Sequence, residues 1–147
     1  MQYASGTPGR IFYIRFDHGE DLLAEIEKFA HSHQIASGSI NLIGAVSEGS
    51  LVSGPHTSDL PPAPIWHELP GIHEFVGAGV IRHGADGIKV HLHASAGRDI
   101  RALTGCFREN IRVHIIIEAV IMEFSGFTIQ EEYDPQTGLA LPVPHQH

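Results

Sequence analysis

Cysteine is nearly missing from this chain of 147 residues: Cys106 is the only one, which excludes an intramolecular disulfide. A lone thiol fits a reducing compartment, so the cytoplasm is the expected location. Basic charge is scarce as well. Nine Lys and Arg stand against 17 Asp and Glu, for a formal net charge of -8 with neutral histidines and a pI of about 5.8. Such a chain has no global attraction to nucleic acid or to an anionic membrane. No window approaches the roughly 18 consecutive apolar residues that a bilayer span requires, so no membrane partner is expected. The opening MQYASGTPGRIFYIRF interrupts its apolar stretch with Arg15 and lacks the charged start and apolar middle of a secretory signal. Internal repeats and low-complexity segments are also wanting.

What is present is a 42% hydrophobic composition, enough for one sizeable core in a single domain over residues 1–147. RIFYIRF (10–16) is aromatic and β-branched and reads as a strand. A helix over about 19–33 should follow. Asp17 and Glu20 have capping-box spacing, and Leu22, Leu23, Ile26, Phe29 and Ala30 recur on one face. SINLIGAV (39–46) and GSLVS (49–53) predict two strands, and the Pro-rich GPHTSDLPPAP (54–64) predicts a surface loop. IHEFVGAGVIRH, a Gly-rich turn at 84–87 and IKVHLHAS predict a β-hairpin. A polar connection, AGRDIRALTGCFREN, then leads to RVHIIIEAVIMEF, the expected central strand. Residues 127–132 predict one more strand, and the core of the domain should end there. Residues 133–147 read as a mobile Pro-rich tail. The fold class is therefore α/β in the α+β sense, a mostly antiparallel sheet with one main packed helix.

Twelve histidines make H-x-H pairs common by chance, and the chain has three, at His31/His33, His91/His93 and His145/His147. The helix places His31 and His33 about 200° apart, too far around the axis to share an ion. The strand IKVHLHAS does the opposite. Alternation puts Lys89, His91, His93 and Ser95 on one face, with the two imidazoles about 6–7 Å apart at the backbone. Zinc takes nitrogen and sulfur donors and keeps a fourth position open in catalytic sites, so Cys106 on the returning strand would complete a set of three. Arg98, Arg101, Arg108 and Arg112 form the one basic segment, suited to a carboxylate or phosphate ligand, and those that lie close would favour the Cys106 thiolate. Other readings stay open: a solvated hairpin face with Cys106 as a small buried hydrophobe, or Cys106 as a nucleophile beside a histidine base. Glu118, Glu123, His73 and His114 are weaker acid–base candidates.

The runs RIFYIRFDHGEDLLAEIEKFA, GSINLIGAVSEGSL, GIHEFVGAGVI, HLHAS and EAVI resemble, in order, the plants-and-prokaryotes-conserved (PPC) domain family across about residues 10–132. The resemblance implies a compact α/β domain assembling as a homotrimer. Where the family commonly writes Gly-Gly-His-Leu, this chain has Thr104-Gly105-Cys106-Phe107, so Cys106 stands where a third histidine of a zinc site would be. Exchange of His for Cys keeps a competent zinc ligand, and the loss of one glycine leaves the local loop geometry open. Bacterial members are labelled predicted DNA-binding proteins, while plant members are nuclear proteins gripping DNA through a separate AT-hook that this chain lacks. Two functions follow as expectations. One is a homotrimer with zinc on His91, His93 and Cys106, binding or acting on a small anionic ligand by hydrolase- or lyase-type chemistry. The other is a non-catalytic DNA-binding or protein-interaction regulatory module.

Overall fold

The computed structural model describes residues 1–147. Eight strands and one helix run in the order β1 (Thr7–Asp17), α1 (Leu22–Ser32), β2 (Gly38–Pro55), β3 (Pro64–Glu68), β4 (His73–Gly84), β5 (Gly87–Arg98), β6 (Arg101–Ser125), β7 (Phe127–Asp134) and β8 (Leu139–Gln146). Strands dominate and a single helix packs on them.

The sheet closes on itself. β2 pairs with β4, β4 with β5, β5 with the first part of β6, and β6 with both halves of β2, all antiparallel. Two long strands make this closure possible, because each pairs with different neighbours along its length. β2 bends where its register against β6 shifts between Gly44 and Leu51. Gly44 allows the bend: its φ is +150°, and a Cβ there would lie 2.4 Å from the Ile116 carbonyl oxygen. The outer edges of this closed sheet carry β1 on β6, β3 on β2, and the β7–β8 hairpin beside β4.

The interior face supplies the core. Ile40, Leu42, Ile81, Leu92, Phe107, Ile117 and Ile121 are buried in one cluster with Leu22, Ile26 and Ala30 of the helix. Those three helical residues recur at i, i+4, i+8, so a single stripe faces the sheet, with Leu23 and Phe29 packed at its margin. Burying Leu22 and Ile26 stabilises by about 1.5–3 kcal/mol each. The sheet's other face is unusual in what it leaves to solvent. Tyr13 pairs with Val120, and Ile43 with Val76, and all four side chains are exposed.

Five expectations need correction. The helix is capped by Asp21, whose side chain accepts from the Ala24 N–H, while Glu20 accepts from the Asp17 N–H one turn earlier. Residues 39–53 form one bent strand, because bulges absorb the glycines that looked like turns. The polar segment 96–110 is mostly strand: β5 ends at Arg98, the turn takes only Asp99 and Ile100, and Asp99 adopts φ 56°. The Pro-rich segment 133–147 contributes the end of β7 and all of β8, its prolines tolerated because β8 is an edge strand. The Pro-rich 54–64 stretch is likewise entered and left by strands, with Pro55 paired to Pro64.

Candidate metal centre

The HLH strand behaves as its alternation requires. In β5, Leu92 and Ala94 are buried and Ile88 and Val90 pack against the core, whereas His91 and His93 point to the opposite face. Cys106 is directly paired with His93 in the β5–β6 ladder, so its side chain shares that face. The ligand atoms of His91, His93 and Cys106 all lie within 4.8 Å of one another. Cys106 is buried, His91 half-buried and His93 exposed, which leaves the cluster open on one side.

Backbone contact sets the position of the thiol. Gly105 brings β6 so near β2 that a Cβ would fall 2.4 Å from the Val52 carbonyl oxygen. The residue before it tolerates a side chain: the Thr104 hydroxyl donates to Ser95 Oγ at 3.1 Å, on the same face as the cluster. One glycine therefore suffices in a segment that is a strand and not a loop.

The two imidazoles meet edge to face, ring centroids 4.9 Å apart with an interplanar angle of 85°. Several other histidines are engaged by hydrogen bonds, His73 with the Gly71 carbonyl and His67 with Ser53, for example. No such partner holds His91 or His93. Burial pushes the His91 pKa down, with the charges of Arg82, His93 and Arg108 acting in the same direction. The ring is thus neutral and available as a donor. Burial pushes the Cys106 thiol up, against the opposing pull of Arg108 and Arg82. This corrects the expectation of a thiolate favoured by its arginines: desolvation outweighs the two that are near.

Donor chemistry and spacing fit a metal. Two nitrogens and one sulfur are a zinc-type set, and tetrahedral coordination at Zn–N of about 2.0–2.1 Å and Zn–S of about 2.3 Å requires only a modest closing of the three side chains. An ion would displace the thiol proton on binding.

The basic segment divides. Arg108 stands against Cys106 and lines both cavities beside the cluster, of about 650 and 510 Å³. Arg98 and Arg101 face each other across the β5–β6 turn, where Arg98 donates to the Pro70 carbonyl at 2.6 Å. They line a separate cavity of about 690 Å³ with His73. Arg112 lies near the start of the helix, donating to the Gly19 carbonyl at 3.5 Å. The weaker acid–base candidates are engaged elsewhere: Glu118 accepts from the Tyr13 hydroxyl, Glu123 from Arg10, and His114 packs on His18 at 5.4 Å.

Three residues at the site were missed. Arg82 of β4 reaches it and donates twice to Glu131 Oε1 of β7, at 2.9 and 2.7 Å. Trp66 of β3 lines both cavities beside Cys106. Only the register of three strands reveals that one, since β3 sits among prolines and spans five residues.

Solved structures share this fold over nearly the whole chain. A metal-containing protein from Archaeoglobus fulgidus is 25% identical, covers 97% of this chain and 99% of its own, and superposes with a TM-score of 0.86. A plant- and prokaryote-conserved (PPC) protein from Pyrococcus horikoshii is also 25% identical, covering 97% and 96%, with a TM-score of 0.80. A Bacteroides thetaiotaomicron protein, described as a proposed DNA-binding protein, is 23% identical over 96% and 97% at a TM-score of 0.75, a likeness of fold. The comparison with curated protein sequences gives no match. A family profile matches residues 3–125, and with it the chain belongs to the Plants and Prokaryotes Conserved (PCC) domain family.

Proposed function

We propose that this protein holds zinc on His91, His93 and Cys106 and binds or acts on a small anionic ligand at that centre. The observation that carries the reading is the convergence of two unengaged imidazoles and a buried thiol on one face of the sheet, with Arg108 beside them. The metal-containing relative supports it. Bound zinc supplies a Lewis acid that polarises a carbonyl or phosphoryl oxygen, which is the chemistry of hydrolases and lyases. Arg108 attracts and orients the anion, and the neutral His91 ring binds without first losing a proton. The protein acts in the cytoplasm, in keeping with its lone thiol.

The test is elemental analysis of tag-free protein, comparing wild type with His93→Ala and Cys106→Ala. About one zinc per chain in the wild type, lost in both variants, is the expected result. Equal metal in all three would overturn the assignment.

A homotrimer is part of the proposal. Tyr13, Ile43, Val76 and Val120 form a patch on the outer sheet face, with Ile43 and Val76 each 57% exposed, the type of surface a second copy covers. The alternative function, a DNA-binding module, meets a net charge of -8 and gains nothing from the basic segment, whose arginines are dispersed over three places. Duplex binding that persists after metal removal would favour it.

A further inference from the structure

We infer that the ligand of this centre is an amphipathic acid, a flat apolar body carrying one carboxylate or similar oxyanion; this rests on the zinc reading above. The sheet register provides the first argument. Trp66 pairs with Val52, Val52 with Cys106, and Cys106 with His93, so one row crosses four strands from the indole to the imidazole. Directly paired residues share a face, so all four side chains project to the same side. At about 4.8 Å between strands, the backbones of Trp66 and Cys106 are about 10 Å apart, the length of a small aromatic acid.

The cavity along that row is about 650 Å³. An inorganic anion would fill a small part of it, whereas organic ligands occupy sites of about 300–1,000 Å³. Val52, Pro62, Pro64 and Leu139 line the cavity together with the indole. Trp66 is 48% exposed. An indole at a cavity wall offers its face for stacking.

Arg108 is the one Lys or Arg among the residues that line this cavity. Arg108 has no carboxylate partner among the ion pairs of the chain, while Arg82, the other guanidinium near the cluster, is consumed by Glu131. One available cation in a largely apolar cavity selects a ligand with one anionic group. Trp66 serves the body and Arg108 the acid group, beside His93 and Cys106 of the metal centre.

Trp66 is the only tryptophan, so its fluorescence reports the occupant directly. Zinc-loaded, tag-free protein is titrated with 2-naphthoate, acetate and 2-naphthamide, with metal content measured on the same samples. Naphthoate should change the emission saturably, with acetate and naphthamide weaker by about ten-fold or more. Calorimetry on Arg108→Gln and Trp66→Leu should show naphthoate affinity reduced by about ten-fold in each, with zinc retained. Both residues are solvent-accessible, so neither substitution disturbs the core. Fully metallated wild type that prefers naphthoate to neither control, or variants that bind it as wild type does, would overturn the inference and leave the zinc reading intact. Wild type that takes up no zinc would overturn both.

Discussion

Cys106 lies directly opposite His93 in the β5–β6 ladder. Backbone pairing, and not a flexible loop, sets the distance between sulfur and imidazole. The site should therefore accept a change of donor type better than a change of donor presence. Cys106→His should retain about one zinc per chain, while Cys106→Ser should bind it about 10–100-fold more weakly, as read by competition with a chromophoric chelator. Equal affinity for the Ser variant and wild type would show that the thiol is no ligand.

Gly105→Ala tests the backbone contact beneath the thiol. The new methyl would meet the Val52 carbonyl, so β6 must move away from β2. The expected cost is about 1–3 kcal/mol in urea unfolding, accompanied by reduced zinc occupancy. Unchanged stability would mean that the strands separate freely there.

Charge placed on the outer apolar face separates assembly from folding. Val76→Glu should leave the circular dichroism spectrum intact, because the side chain projects away from the core. Sedimentation should shift from trimer to monomer. Wild type that sediments as a monomer would remove the trimer proposal.

The Arg10–Glu123 pair gives a pH dependence with a definite sign. Arg10 donates to both carboxylate oxygens of Glu123 and holds its pKa below the ordinary 4.5. A carboxylate depressed on folding contributes stability above its unfolded value and loses it as pH falls through the folded value. Glu123→Gln should therefore lower Tm at neutral pH, and the difference from wild type should vanish under acid. A difference that persisted below the folded pKa would assign the effect to packing instead.

The legible parts of the sequence were those where periodicity survives. IKVHLHAS alternates without interruption, so its inward and outward faces, and hence the two histidines, could be read directly. The helix showed its stripe at Leu22, Ile26 and Ala30, although its cap lies at Asp21 and not Asp17. Prolines concealed β3 and β8, because edge strands tolerate a residue that interior strands exclude. The arginines were misleading as a group. They are neighbours in sequence, but a two-residue turn and a bulged strand carry Arg98 and Arg101 to one end and Arg112 to another. Arg82 was invisible for the converse reason, since only β4–β5 pairing brings it to His91.

The β7–β8 hairpin lies wholly beyond the stretch that the family profile matches, which stops at residue 125. Its Glu131 fastens Arg82 beside the donors, its Leu139 lines the larger of their two cavities, and a Cβ on Gly138 would lie 3.2 Å from Pro61 of the Pro-rich segment. One part of the enclosure thus comes from a length of polypeptide separate from the donors. A graft of another hairpin onto residue 126 would exchange Leu139 and Glu131 while leaving His91, His93, Cys106 and Trp66 in place, so one wall can be remodelled without rebuilding the centre.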